Sequence, residues 1–189
     1  AGIMSPILVL HPQAVNFGEL IDRCLEPNLY SSKILKEFLE TAHQKKQKDY
    51  PVHIKFNTGL NRLGFWETDV NHIADHLAGI DEIKFNSIVS HLAASEDLAE
   101  KEFSQSQIKT FEKISAELGQ KIGYSPFRHM LNTSGIINYP EAQFEMVRSG
   151  IGLYGYGNDA KEEKNLKPVA TLKTIISQMH KIEPGETVG

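Results

Sequence analysis

The residues best equipped for chemistry follow the predicted strands of this chain, each at the carboxyl end of its strand. They are the segment Lys55–Arg62, His91, the polar run Asn132–Ser134 and the run Arg148–Gly150. In a β/α barrel the carboxyl ends of all the strands meet at one face, where the groups of an active site come together. A shared site explains this clustering better than surface decoration does, so we expect these residues to lie together.

The last of these runs opens a glycine-rich segment, Gly150–Gly155, whose spacing fits the dinucleotide fingerprint G-x-G-x-x-G. That fingerprint opens a helix and is followed about twenty residues later by an acidic residue. Here a charged segment follows in place of an amphipathic helix. Backbone N–H groups flanked by glycines can still form an anion site after the last strands of a barrel. The segment therefore favours phosphate binding over dinucleotide binding.

Other candidate side chains have simpler interpretations. His72 and His76 have the spacing of two zinc ligands on one helix face, but the sequence offers neither the glutamate of a zinc protease nor a third ligand. We therefore expect two solvated histidines and no metal. His53 and His129 alternate along strands and are interpreted as packing or supporting residues. Cys24 is in phase with an apolar helix, so we expect a buried residue rather than a nucleophile.

Strand-like and helix-like segments alternate along the chain, which is typical of a parallel α/β architecture. We predict six β units, whose strands are Pro6–Leu10, Asn28–Tyr30, Val52–Asn57, Ser87–His91, Phe127–Leu131 and Glu145–Arg148. A complete (β/α)8 TIM barrel needs roughly 250 residues. We therefore expect an incomplete barrel of about six of the eight β/α units over residues 1–157, with two units missing at the front. A linker at 158–167 and the first strands of a C-terminal β domain at 168–189 would follow.

Local patterns make this prediction more specific. Pro6–Leu10 is a continuous apolar run of the kind that is buried on both faces of a parallel sheet. Val52–Asn57 alternates apolar and polar residues, as either an exposed sheet face or a barrel strand with its polar side toward an active site would. Ser31 and Ser95 stand where N-caps are expected, each before an amphipathic helix.

Composition narrows the functional classes. The chain has 189 residues, 40% of them apolar, and a net charge of −4, which gives no indication of binding to nucleic acid or an anionic membrane. Its longest apolar run is far too short to span a bilayer. A single cysteine excludes an internal disulfide and suits a reducing compartment. We expect a soluble cytoplasmic protein, and both ends look like cuts in a longer chain.

Four segments, taken in order, closely resemble successive blocks of alanine racemase. They are residues 53–64, 90–93, 129–136 and 146–155. Their spacing is family-like, and the resemblance covers essentially the whole chain. The chain is also similar to the racemase half of the ligase–racemase fusions of some bacteria. The resemblance implies a homodimeric enzyme that uses pyridoxal 5'-phosphate to interconvert L-alanine and D-alanine for bacterial cell-wall synthesis.

The resemblance also implies roles for residues around the cofactor ring. Arg148 is expected to hydrogen-bond the pyridine nitrogen, with His91 supporting it, and Arg62 to contact the phenolic oxygen. Because an arginine does not give up its proton, the ring would stay largely unprotonated, which suits racemisation. Lys55 matches a lysine that is carbamylated in many members and then pairs with the arginine at position 62. Leu10 is expected to pack against the ring.

On the phosphate side, the resemblance makes Thr133 the hydroxyl donor in place of the usual serine. Since threonine keeps the hydroxyl, phosphate binding is still expected, with Asn132 beside it. The backbone of Gly150 and Ile151 would supply further donors.

Three further residues depart from the family pattern. Asn57 stands where aspartate is usual, and both Asn61 and Ser134 are atypical. The change at position 57 removes a negative charge beside Lys55 and leaves the carbamylation of that lysine open.

The family's catalytic groups lie outside these residues. No segment like the Lys-Ala-Asn-Ala-Tyr-Gly block of the family occurs in the sequence, and the second base is a tyrosine of the β domain, donated by the partner subunit. We therefore expect no catalytic residue in this chain and no activity from it alone. The alternatives are a serine racemase or an amino-acid decarboxylase of the same fold, or a non-catalytic cofactor-binding barrel. Arg148 argues against a decarboxylase, which normally places a carboxylate at the pyridine nitrogen.

Overall fold

The computed structural model describes residues 2–158 and 163–187. Five parallel strands and five α-helices are assigned within these ranges, joined by short 3-10 turns. The strands are β1 (Ile7–Val9), β2 (Leu25–Leu29), β3 (Tyr50–Lys55), β4 (Ile83–Val89) and β5 (Phe127–His129). The helices are α1 (Phe17–Asp22), α2 (Ser32–Gln44), α3 (Val70–Leu77), α4 (Lys101–Ile122) and α5 (Thr133–Asn138).

The strands lie in one sheet in the order β1-β2-β3-β4-β5, so each strand pairs with its neighbour in the sequence, and all pairs are parallel. A parallel sheet that adds each strand to the same side, with helices in between, curls toward a barrel. The result is a curled half-barrel, which confirms the predicted incomplete TIM barrel.

The sixth predicted strand is not regular. Glu145–Arg148 is assigned no strand, although two backbone hydrogen bonds join it to β5 and to the residues directly after β5. Met146 N donates to Arg128 O at 3.3 Å, and Arg148 N donates to Leu131 O at 3.0 Å. The segment is still held at the edge of the sheet, and its last residue reaches the carboxyl end of β5.

Helix α2 shows how the sequence pattern positions an element. Ser31 has extended backbone angles, and its hydroxyl accepts a hydrogen bond from the Ile34 N–H, so the predicted N-cap is confirmed. Leu35, Phe38 and Ala42 follow at helical spacing, and all three are buried. The helix therefore packs one apolar face on the sheet.

The N-cap predicted at Ser95 is wrong. Helix α4 begins at Lys101, after a 3-10 turn that Asp97 caps by accepting from the Ala99 N–H at 2.9 Å. The Ser95 hydroxyl instead donates to the Asn132 side chain at 2.8 Å. Because its hydroxyl is engaged by Asn132, Ser95 does not cap the helix that follows it.

Two burial predictions also fail, each for a local reason. Strand β1 is not buried on both faces, and Ile7 is 41% exposed, because β1 is the edge strand of the described sheet. Cys24 is exposed rather than buried in a helix, since α1 ends at Asp22 and Cys24 has a left-handed φ of 53° in the turn to β2.

The burial of β3 distinguishes an exposed sheet face from a barrel strand whose polar side faces an active site. Val52 and Ile54 are fully buried in the hydrophobic core, yet on the opposite face His53 and Lys55 are only 5% and 9% exposed. The polar face is therefore not a solvent-facing sheet surface. It lies on the interior side of the half-barrel and ends at its carboxyl mouth.

After the half-barrel, the structure describes residues 163–187. The predicted linker at 158–167 includes residues 159–162, which lie outside the described residues. No strand is assigned within 163–187, and the start of a β domain at 168–189 stays a prediction. No helix in the described ranges is long and apolar enough to cross a membrane.

The loop after β3 closes on itself and returns Arg62 to the end of the strand. Phe65 N donates to Lys55 O, and Asn57 N donates to Phe65 O, both at 2.8 Å. Gly64 has a φ of +131°, and a Cβ there would lie 2.6 Å from the Asn57 nitrogen and from the Phe56 carbonyl carbon. Only glycine fits at position 64, where the returning loop passes against the backbone of Phe56 and Asn57.

We predict that Gly64→Ala lowers the free energy of unfolding by at least ~1 kcal/mol more than Gly79→Ala does. Both glycines have positive φ, but an added Cβ at Gly79 has no atom within 4 Å, whereas at Gly64 it overlaps the backbone. Urea unfolding of the two variants measures the difference. Equal losses of stability would contradict a tight crossing at Gly64.

Candidate active site

An open cavity of about 470 Å³ lies at the carboxyl ends of the strands. Five of the residues singled out from the sequence line it: Leu10, Lys55, Arg62, His91 and Arg148. They come from β3 and from the segments after β1, β3, β4 and β5, so the topology brings together residues far apart in the chain. The sequence reasoning missed the remaining lining residues, which are His11, Asn28, Leu63, Val89 and Ser90.

The charged side chains that line the cavity are all basic. Lys55, Arg62 and Arg148 are its lysine and arginine side chains, and no aspartate or glutamate is among its lining residues. Within the described residues none of the three forms an ion pair. Burial, and then the charges of the two arginines, lower the pKa of Lys55. The cavity is therefore suited to an anionic ligand.

Arg148 is held by five acceptors. Its Nη1 donates to Nδ1 and to the carbonyl of His129, and the two N–H groups of Nη2 are shared among the carbonyls of Ser90 and Met130 and Nδ1 of His91. The contact between Nη2 and the Ser90 oxygen is 2.8 Å, and that with His91 is 3.1 Å. The Nε–H finds no acceptor within the described part of the chain, so one donor is left for a ligand.

The two imidazoles around Arg148 are neutral. Burial, followed by the charge of Arg148, lowers the pKa of His91 to about 4 and that of His129 to about 3. A guanidinium only donates, so Nδ1 of each ring accepts, and the proton of each neutral ring lies on Nε2. Burial also lowers the pKa of Arg148 to about 10, which leaves it charged at neutral pH.

The predicted phosphate residues form a second group, outside the lining of the cavity. Thr133 begins α5, and its hydroxyl accepts from the Gly152 N–H at 3.0 Å. Gly150 and Ile151 open the 3-10 turn that carries this N–H. A Cβ on Gly152 would lie 2.8 Å from the Thr133 methyl group. Gly152, the second glycine of the segment Gly150–Gly155, is therefore needed for this contact.

Asn132 has a structural task in this group. It is the N-cap of α5, and its side-chain oxygen accepts from the Gly135 N–H at 2.9 Å and from the Ser95 hydroxyl at 2.8 Å. The side-chain oxygen thereby fixes the start of the helix whose first residue is Thr133.

The departures at Asn57 and Asn61 are coupled to each other. The Asn57 side-chain oxygen accepts from the N–H groups of Gly59 and Asn61, and its amide nitrogen donates to the Asn61 side-chain oxygen at 2.9 Å. Asn61 has a left-handed φ of 55°, which asparagine tolerates better than most residues. The Asn57 amide thus organises the loop, and it is not among the residues that line the cavity beside Lys55.

The histidines left open by the sequence occupy two different settings. His72 and His76 are exposed on α3 with ring centroids 4.1 Å apart, and no group of three potential metal ligands occurs in the described ranges. His53 and His129 are buried inside the half-barrel with ring centroids 6.4 Å apart. The Ser87 hydroxyl lies between them, 2.6 Å from His53 Nδ1 and 2.9 Å from His129 Nε2.

Comparison with known proteins gives a consistent result. The family model of the alanine racemase N-terminal domain matches residues 1–158. The alanine racemase of Thermodesulfovibrio yellowstonii is 34% identical over 188 positions, which cover 100% of this chain and 48% of the relative. Alanine racemase 1 of Clostridium acetobutylicum is 33% identical over 193 positions, covering 100% and 50%. The chain spans about half the length of the curated relatives it matches.

Solved structures agree with these relatives. The alanine racemase of Clostridium difficile superposes with a TM-score of 0.79 at 26% identity, over 88% of this chain and 44% of the other. That of Corynebacterium glutamicum gives 0.77 at 28% identity, over 88% and 47%. The Bartonella henselae enzyme, with covalently bound pyridoxal phosphate, shares the fold with a TM-score of 0.69 at 23% identity, over 82% and 43%.

We predict that the free energy of unfolding falls as the pH is lowered from about 6.5 toward 4. The pKa values of His91 and His129 are depressed in the folded chain, so the unfolded chain takes up protons first. Each histidine contributes a slope of up to about 1.4 kcal/mol per pH unit. Denaturant unfolding at several pH values should show a slope that is smaller by up to this amount in His91→Asn. An unchanged slope in that variant would contradict a neutral His91.

Proposed function

Because this chain belongs to the family of alanine racemase N-terminal domains, we propose that it forms the cofactor-binding part of an alanine racemase. The enzyme would use pyridoxal 5'-phosphate to interconvert L-alanine and D-alanine. The observation that carries this proposal is Arg148, whose Nη groups are fully engaged while its Nε–H is left for a ligand in a cationic cavity. That arrangement fits an anionic ring compound whose nitrogen accepts one hydrogen bond.

The donor set of the site fits this cofactor. Pyridoxal phosphate, when bound, supplies the electron sink that lets the α-proton of an amino acid leave. Arg148 would donate to the pyridine nitrogen, and Arg62 would face the phenolic oxygen, with Leu10 against the ring. Thr133 and the N–H groups of Gly150 and Ile151 would hold the phosphate, since glycine-flanked backbone N–H groups form anion sites.

The guanidinium at the ring nitrogen favours racemisation. Arg148 stays charged at neutral pH and can only donate, so the ring nitrogen would keep its lone pair and remain unprotonated. A moderate electron sink limits side reactions while the α-proton is exchanged. The same feature argues against a decarboxylase of this fold.

Lys55 has the surroundings that carbamylation requires. The reaction needs the neutral amine, and burial together with Arg62 and Arg148 lowers the pKa of the Lys55 amine. The product would be an anion beside Arg62, with which it would pair and which it would hold toward the cofactor. Asn57 does not oppose this, because its side chain is engaged by the loop.

The remaining parts of the activity would come from outside these residues. We propose that the covalent lysine lies in a preceding block of a longer protein, and that a tyrosine of a following β domain is donated by the partner subunit of a homodimer. The chain alone would then be inactive. In the cell the full enzyme would supply D-alanine for the cell wall from the cytoplasm.

We predict that Arg148→Glu in a full-length protein containing this chain lowers alanine racemisation by roughly 10²-fold, the size of effect seen when one directed hydrogen-bond donor is removed from an active site. An acidic partner would protonate the ring nitrogen and favour side reactions such as transamination, measured by the pyruvate formed. Arg23→Glu is the matched control, because Arg23 pairs with Glu19 on the exposed surface. Unchanged turnover in Arg148→Glu would remove Arg148 from this role, and faster turnover of serine than of alanine would favour a serine racemase.

For the 189-residue chain we predict no stoichiometric lysine adduct with pyridoxal phosphate. Lys55 is the lysine placed near the proposed cofactor, but it would face the phenolic oxygen and Arg62. Borohydride reduction followed by peptide mass mapping tests this, together with an alanine racemisation assay. One fully labelled lysine and measurable racemisation would show that the chain contains its own catalytic lysine.

A further inference from the structure

A row of buried polar side chains crosses the interior of the half-barrel and ends at Arg148. Each strand from β2 to β5 contributes one member: Glu26, His53, Ser87 and His129. The distances are 2.8 Å from Glu26 Oε2 to His53 Nε2, 2.6 Å from His53 Nδ1 to Ser87 Oγ and 2.9 Å from Ser87 Oγ to His129 Nε2. None of the four is more than 9% exposed.

The hydrogen bonds of this row can run in one direction only. The guanidinium of Arg148 contains no acceptor atom, so it must donate to His129 Nδ1. The proton of the neutral His129 ring then lies on Nε2. His129 Nε2–H donates to the Ser87 oxygen, and the Ser87 hydroxyl proton is left for His53 Nδ1. His53 in turn carries its proton on Nε2 and donates it to the Glu26 carboxylate.

Burial supports the neutral form of both rings. Desolvation is the largest influence on the pKa of His53, and it lowers that pKa although the Glu26 carboxylate acts in the other direction. An imidazolium at either position could not accept at Nδ1, so the row would be interrupted there. A buried carboxylate is costly unless it accepts hydrogen bonds, and Glu26 accepts from His53 and, at 3.3 Å, from Asn86.

We infer that Glu26, His53 and Ser87 are positioning residues, which hold His129 as a hydrogen-bond acceptor and thereby fix the Arg148 guanidinium at the mouth of the barrel. The importance of this for catalysis rests on the proposed role of Arg148. The row itself, which we name the Glu26–Arg148 relay, is defined by Glu26, His53, Ser87, His129 and Arg148. It explains why a strand interior that is usually apolar carries two histidines and a glutamate.

Packing alone would not require this order of donors and acceptors. If the relay fixes Arg148, removal of the Ser87 hydroxyl leaves His129 without an acceptor for its Nε2–H, and the ring no longer has one enforced orientation. The Nη protons of Arg148 should then exchange with solvent faster. Serine to alanine on another buried hydroxyl should have no such effect.

The experiment is nitrogen-15 NMR of the 189-residue chain at neutral pH without added cofactor. In the wild type we expect His53 and His129 to carry their protons on Nε2, with Nδ1 unprotonated. In Ser87→Ala we expect at least about tenfold faster exchange of the Arg148 Nη protons, which corresponds to about 1.4 kcal/mol. Ser87→Thr, which keeps the hydroxyl, should restore slow exchange.

Ser115→Ala is the matched control, because the buried Ser115 hydroxyl donates to the Phe111 carbonyl within α4, away from the site. Unchanged Arg148 exchange in a folded Ser87→Ala chain would overturn the inference. If Ser87→Ala does not fold, the wild-type spectrum decides, since a proton on Nδ1 of neutral His129 would overturn it as well. Because no cofactor is present, a chain that keeps the relay but fails to bind pyridoxal phosphate contradicts the proposed function alone.

Discussion

Arg148 brings a permanent positive charge into a partly desolvated position, and such a charge is stable there only if its N–H groups find acceptors. The acceptors are carbonyls of Ser90, His129 and Met130 together with two imidazoles. Those carbonyls belong to the last residue of β5 and to the residues that directly follow β4 and β5, so the parallel pairing of these strands has to bring their carboxyl ends to one place. The half-barrel thus positions the acceptors of the Arg148 guanidinium, and the irregular segment after β5 positions Arg148 itself.

The same constraint accounts for the chemistry of the cavity. With the Nη groups of Arg148 occupied by neutral partners, its charge is not cancelled, and Lys55 and Arg62 add to it without a carboxylate in the lining. The site therefore attracts anions while it keeps a single directed donor. Such a site would hold an anionic cofactor and would leave the ring nitrogen unprotonated, which is the electronic condition that racemisation favours.

The sequence predicted the fold and five residues that line one cavity, because both follow from local rules, namely strand alternation and the meeting of strand ends in a barrel. The sequence could not predict which side chains hydrogen-bond to one another when they are far apart in the chain. Ser95 was expected to cap a helix but bonds to Asn132. His53 was expected to be a packing or supporting residue, but its bonds to Glu26 and Ser87 could not be foreseen. These outcomes depend on which strands lie side by side. The coupling of Asn57 with Asn61 was hidden for a similar reason, because it needs the left-handed backbone of the loop.

Arg148 is proposed to donate to the pyridine nitrogen of pyridoxal phosphate and to leave that nitrogen unprotonated. The most direct measurement is the nitrogen-15 chemical shift of ring-labelled pyridoxal phosphate bound to a full-length protein that contains this chain. We expect the shift of a neutral, hydrogen-bonded pyridine that does not change between about pH 6 and 9, a range above the pKa values of the neutral histidines and below that of Arg148. The shift of a pyridinium at neutral pH would contradict the account.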